Sequence, residues 1–167
     1  MRSSLQIMNY PITPAIRVLR EHQVEFTPHI FEYVEKGGTK HSSEVLGVDE
    51  HSVIKTLIFE TNERKPLIVL MHGDLKVSTK NLARLMNVKT VAPVAPERAT
   101  ILTGYLVGGT SPFGVKTKMP VYAESSIFEL EKIYINGGKR GFLVEIAPTI
   151  LEQILNLETV EVAVKDG

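Results

Sequence analysis

Val53-Ile54-Lys55-Thr56-Leu57-Ile58-Phe59 is the stretch that most narrows what this chain can become. It is the most β-rich run in the sequence. In a strand, Val53, Lys55, Leu57 and Phe59 fall on one face, and Ile54, Thr56, Ile58 and Glu60 on the other. Both faces carry apolar residues, so the strand must lie inside a sheet that is covered on both sides. The polar turn Asn62–Lys65 and the apolar return Leu67–Met71 predict a hairpin beside it.

The remaining elements must supply that cover. Thr13-Pro14 pairs a hydroxyl N-cap with a first-turn proline and opens a helix to about His22. Val24–Tyr33 reads as a strand, Ser42–Leu46 as a short helix closed by Gly47, and Ser78 as the cap of a helix to about Asn87. Val88–Ala92 is extended, and Pro96 starts a helix to about Leu102. Tyr105–Val107 and Phe113–Lys118 read as extended flanks of a glycine turn. Val121–Ala123, Lys132–Ile135 and Phe142–Ile146 follow as strands, with a helical turn at Ser126–Leu130. Pro148 opens a last helix and Val160–Val164 closes the chain. Hairpins mixed with strand–helix–strand passages predict a single α+β domain, a curved mixed sheet or partly closed barrel flanked by helices. Residues 1–12 read as an N-terminal extension and 13–167 as the domain.

The 167 residues suffice for one core without covalent staples. With no cysteine there is no disulfide framework, no thiolate metal site and no cysteine nucleophile in the protein itself, and a cytoplasmic chain is expected. Residues 1–7 hold no apolar signal core, and no later run is long enough for a membrane span. Nineteen basic against nineteen acidic residues leave zero net charge, so any nucleic-acid contact must rest on a local patch.

Two features could carry chemistry. Lys55 places an ammonium on an apolar strand, where it either snorkels to the sheet margin or projects into a pocket built for an anionic group. Gly108-Gly109-Thr110-Ser111-Pro112 combines two glycines, two hydroxyls and a proline, which makes a stiff turn; it is either a plain corner or a cradle of backbone amides. Gly137-Gly138-Lys139-Arg140-Gly141 is a second glycine turn with two cations. Lys116, Lys118, Lys139 and Arg140 flank the two turns, and they form a phosphate footprint only if the turns meet in space. His72-Gly73-Asp74 lacks a third ligand, so no metal is expected. The sequence contains neither a G-x-S-x-G elbow nor a G-x-x-x-x-G-K-[ST] phosphate loop. This equipment suits an activated ester better than an amide, and nothing in it supplies an obvious nucleophile.

Thr13-Pro14-Ala15, Val53–Leu57, the run from Gly104 to Gly114 and the run from Tyr134 to Gly141 stand in the order found in the YbaK/EbsC family. That family comprises freestanding relatives of the editing domain inserted in bacterial prolyl-tRNA synthetase, and the chain resembles it over residues 13–164. The resemblance implies an aminoacyl-tRNA deacylase that clears mischarged tRNA, typically Cys-tRNA(Pro), without a metal or other cofactor, with prolyl-tRNA synthetase as a possible partner. It implies that Lys55 holds the 3′-terminal adenosine and that the Gly108–Pro112 loop, with Gly109 as a catalytic residue beside Lys55, turns backbone amides on the aminoacyl carbonyl. A thiol belonging to the substrate would attack the ester and leave as a thiolactone, which accounts for the missing nucleophile. Phe31, Thr56, Gly108, Thr110, Ser111, Pro112, Asn136 and Leu143 would line the substrate pocket; Lys116, Lys118, Lys139 and Arg140 would meet the tRNA. Cysteine-clearing members carry a tyrosine, a serine and an aspartate where this chain has Phe31, Asn136 and Leu143. Clearance of alanine, serine or threonine is therefore the alternative, as is a non-catalytic module that binds tRNA or a synthetase.

Overall fold

The structure, a computed structural model, describes residues 9–165; residues 1–8 of the N-terminal extension and residues 166–167 lie outside that range. The chain runs α1 (Pro14–Glu21), β1 (Thr27–Ile30), α2 (Gly38–Leu46), β2 (Val53–Thr61), β3 (Pro66–His72), β4 (Leu75–Val77), α3 (Thr79–Met86), β5 (Val91–Pro93) and α4 (Pro96–Thr103). It continues through β6 (Val121–Glu124), β7 (Ile133–Lys139), β8 (Phe142–Ile146), α5 (Thr149–Ile154), β9 (Leu157–Val160) and β10 (Ala163–Lys165). Single 3-10 turns at Glu50–Ser52 and Ser125–Glu129 lead into β2 and out of β6.

The main sheet has the order β1-β8-β7-β2-β3-β6-β9, with β5 also paired to β2; β4 and β10 form a separate two-stranded ribbon. The pairs β7–β2, β3–β6 and β6–β9 are parallel, and the others in the main sheet are antiparallel. The single-domain mixed α+β sheet is as expected, and its path has two ends, β1 and β9, so it does not close into a barrel.

β2 takes the central place its two apolar faces require. Ile54 and Ile58 join Ile68 and Leu70 in a core beneath α1, α4 and α5, whereas Phe59 joins Leu67, Val69 and Met71 in a second core against α3. Local chemistry fixes the helices that cover them. The Thr13 hydroxyl accepts from the Ile16 amide, the Ser78 hydroxyl accepts from the Asn81 amide, and Gly47 and Gly104 end α2 and α4 in the left-handed conformation. Tyr10, placed in the extension by sequence, packs its ring against Phe26 and Phe142.

Several boundaries move. The first strand covers four residues, not the ten of Val24–Tyr33. Gly137 and Gly138 lie within β7 across a register shift between Asn136 and Lys139, so the turn narrows to Arg140-Gly141. The largest change is at residues 104–120, where the extended flanks predicted around Gly108–Pro112 are absent. That segment folds on itself instead. Tyr105 and Phe113 are buried, and the Tyr105 hydroxyl donates to the Phe113 carbonyl at 2.6 Å. Desolvation pushes that phenol up to about 12, which keeps it a donor. A pair of aromatic anchors inside a loop defeats an alternation-based reading.

Candidate active site

β2 is paired with β3 along its length, but its opposite edge is paired only at the ends. Val53 and Ile54 meet β7, and Phe59 to Thr61 meet β5. The Gly73 amide bonds to the Val53 carbonyl, and the Thr61 amide to that of Lys65. Odd-numbered residues of β2 therefore turn their peptide groups toward β3, and even-numbered residues turn theirs away. Ile54 faces β7 and the Ile58 carbonyl accepts from the Val94 amide, which leaves Thr56 facing a length of edge where no strand pairs.

A cavity of about 560 Å³ opens at this gap. Lys55, Thr56, Phe31, Leu143, Gly108 and Thr110 line it, as do Asn136 and Arg140, so eight of the residues singled out by sequence converge on one space. The Lys55 ammonium donates to the Leu75 carbonyl at 2.5 Å. The Thr56 Oγ1 is buried without a hydrogen-bond partner, the single such side-chain atom among the described residues. A buried hydroxyl in that state costs about 1–3 kcal/mol unless a ligand satisfies it.

The two glycine turns do meet. Asn136 Nδ2 donates to the Gly108 carbonyl at 3.2 Å and Arg140 Nε to that of Val107 at 2.9 Å. A Cβ on Gly109 would come within 2.7 Å of the Arg140 amide nitrogen. α1 wedges beneath them: the Thr13 hydroxyl donates to the Gly137 carbonyl, and Gly114 lies against Pro14. The spatial condition for a shared cationic footprint is thus met for Lys139 and Arg140 beside the 106–110 turn; Lys116 and Lys118 are exposed further along the same loop.

Not every expected residue lines the cavity. The Gly109 amide donates to the Leu106 carbonyl at 2.8 Å, so it is engaged within its own turn rather than bare. Ser111 is fully buried and its hydroxyl accepts from the Phe113 amide at 3.1 Å. Ser111 and Pro112 stiffen the loop from behind. Asn136 is likewise committed, its Oδ1 accepting from the Gly138 and Lys139 amides.

The structure adds Tyr33, which the sequence reading passed over as part of a strand. Its hydroxyl lies where a Cβ on Gly108 would be, at 2.8 Å, and the Arg140 guanidinium covers its ring at 5.0 Å.

His51 joins His72 and Asp74 within ligand distance, supplying the third group the sequence lacked. The two imidazoles, however, stack with centroids 3.6 Å apart and planes 5° from parallel. Their lone pairs lie in separate parallel planes, so one ion at the roughly 2.0–2.1 Å of a metal–imidazole bond cannot be shared between them. His72 is fully buried, its Nδ1 donating to the His51 carbonyl at 2.7 Å and its Nε2 meeting Ser126 Oγ at 2.7 Å. Burial holds its pKa below the ordinary value. The cluster is structural in form.

Among the described residues no helix is long and apolar enough to cross a membrane. The family model for the aminoacyl-tRNA editing domain matches residues 38–154. EbsC of Enterococcus faecalis, named as a candidate Cys-tRNA(Pro)/Cys-tRNA(Cys) deacylase, is 28% identical over 92% of this chain and 94% of its own. A proline–tRNA ligase of Thermodesulfovibrio yellowstonii is 32% identical over 78% of this chain, which spans 20% of the ligase. Among solved structures, a hypothetical protein superposes with a TM-score of 0.83 at 21% identity, covering 90% of this chain and 99% of that one. A candidate trans-editing enzyme for prolyl-tRNA synthetase superposes at 0.77 and 19%, covering 94% and 100%.

Proposed function

The chain belongs to the YbaK/EbsC family of aminoacyl-tRNA editing domains, and we propose that it acts in the cytoplasm, in trans, on mischarged tRNA(Pro), with Cys-tRNA(Pro) as the substrate. The observation that carries this reading is the gap in the β2 edge: an aminoacyl ester entering there lies between Lys55 and the Gly108–Thr110 turn. Lys55 holds the 3′-terminal nucleotide by a charge-assisted hydrogen bond. Peptide groups of the 108–110 turn polarise the aminoacyl carbonyl, which an ester, already activated, needs only modestly. With the engaged Gly109 amide, this contribution falls to its neighbours unless the turn opens on binding. The Thr56 hydroxyl takes a polar group of the aminoacyl moiety or of the ribose.

For cysteine, the substrate sulfur forms a bond to its own carbonyl carbon while the ester C–O bond breaks. The thiol proton ends on the ribose oxygen, and a thiolactone leaves. This uses no protein nucleophile and no metal. Prolyl-tRNA synthetase would supply tRNA affinity that a chain of zero net charge lacks.

A second reading, clearance of alanine, serine or threonine by water, is favoured by the apolar Phe31–Leu143 wall and by the commitment of Asn136 to the loop. The deciding experiment incubates the protein with Cys-, Ala-, Ser- and Thr-charged tRNA, with and without the synthetase. Release from Cys-tRNA(Pro), lowered about 10- to 100-fold by Lys55→Ala, is expected. Binding that weakens with salt, with no release from any of the four, would leave a non-catalytic module.

A further inference from the structure

The head of Lys55 is held at the start of β4, where the turn that leaves β3 ends. Its acceptor, the Leu75 carbonyl, belongs to the residue directly after Asp74. That turn is fastened on three sides. The Gly73 amide donates to the Val53 carbonyl at 2.7 Å, and the Thr39 hydroxyl, 2.7 Å from Glu50 Oε2, also comes within 3.2 Å of the Gly73 carbonyl. The Asp74 carboxylate receives His51 Nδ1 on both oxygens, at 2.9 and 3.2 Å. His51 cannot drift, because its ring lies flat on the buried His72 and its own carbonyl accepts from His72 Nδ1. The partners also set the tautomers: a carboxylate and a carbonyl only accept, so the Nδ1 of each ring carries a proton.

A lysine on a four-carbon stem has no intrinsic direction. Its ammonium points usefully only if an acceptor is fixed in advance, and here that acceptor stands at the first residue of β4, between the β4–β10 ribbon on one side and a turn clamped by a histidine–aspartate pair on the other. We propose that His51 and Asp74 are positioning residues that aim Lys55 at the substrate by holding the Leu75 carbonyl in place. This rests on the reading of Lys55 as the group that holds the tRNA end. The stacked histidines, unfit for a metal, thereby gain a role in the reaction.

The test uses the full chain with Asp74→Ala, Asp74→Asn and His51→Phe, each also built with Lys55→Ala. His51→Phe keeps a flat ring on His72 and lacks the donor; Asp74→Asn keeps an acceptor oxygen. Thermal unfolding of each variant establishes that it folds, and if one of the two disrupting variants does not, the other carries the test. Asp74→Ala and His51→Phe are expected to lower kcat/KM on Cys-tRNA(Pro) about 10- to 100-fold, the scale of a small misplacement of a reacting group. Asp74→Asn is expected to stay close to the parent. In the Lys55→Ala background neither disrupting change should lower activity further. The Lys55 ¹³Cε–¹Hε NMR signal should shift and sharpen in the disrupting variants as its hold on the Leu75 carbonyl loosens.

Additive losses in the Lys55→Ala background would overturn the inference, as would an unchanged Lys55 signal in Asp74→Ala and His51→Phe. Should the parent release no amino acid from any charged tRNA, the functional reading fails, and the Lys55 signal still decides whether the pair positions it.

Discussion

Thr56 carries a buried hydroxyl with no partner at the one place on β2 where the sheet edge is open. Thr56→Val keeps the shape and removes that hydroxyl, so it should stabilise the fold by about 1 kcal/mol while lowering deacylation. Calorimetry paired with turnover checks both signs, and a variant that loses stability would show the hydroxyl to be satisfied in the protein alone. Gly109 calls for the opposite expectation. A Cβ there meets the backbone of Lys139 and Arg140 rather than the cavity, so Gly109→Ala should cost about 1–3 kcal/mol by overpacking, read from urea unfolding. Lys55 is legible in the sequence because a period-2 strand with apolar residues on both faces makes a charged member conspicuous, whereas Thr56 enters only through the family resemblance. Tyr33 is not, since a tyrosine among Phe31, Val34 and other ordinary residues gives no sign that it will cover a glycine 75 positions away.

The helices were readable from their caps, and the hairpin of β2 and β3 from its turn. β4 and β10 were not: each spans three residues, and they pair with each other across the whole C-terminal half of the chain. The 104–120 segment misled because its apolar residues serve as loop anchors, with Tyr105 on Phe113. At this scale the β3 end carries a pH signature. Burial depresses the His72 pKa in the folded state, with the coulombic effect of His51 lowering it and those of Asp74 and Glu129 raising it. The stability it lends is therefore present above the ordinary 6.5 and lost as pH falls through the lower folded value, with a slope of at most about 1.4 kcal/mol per pH unit for one proton. Melting temperatures of the parent between pH 8 and pH 5 should fall more steeply than those of His72→Gln. Parallel curves would place the acid sensitivity elsewhere.

Across the whole molecule the charges cancel, so tRNA affinity must come from where cations gather. Lys139 and Arg140 stand on the β7–β8 turn against the 106–110 turn, and Lys116 and Lys118 stay on the exposed side of the same loop. Lys139→Glu should weaken tRNA binding uniformly for every charged amino acid and reduce the salt slope of log K by about 1 or more. Unequal effects among the amino acids would mean that Lys139 reads the aminoacyl group instead. The open stretch of β2, finally, bears on whether another strand can add to this edge. Exposed sheet edges invite other chains to add a strand and grow into aggregates. Here the unpaired interval runs from residue 55 to 58, about 13 Å at 3.3 Å per residue, and β7 and β5 block it at either end. Thr56 and Ile58 turn their peptide groups outward there, and the Ile58 carbonyl is already taken by the Val94 amide, which leaves too short a template for a neighbouring polypeptide and room for a single aminoacyl group. The same interruption that opens the cavity thus keeps this edge of β2 from templating an added strand.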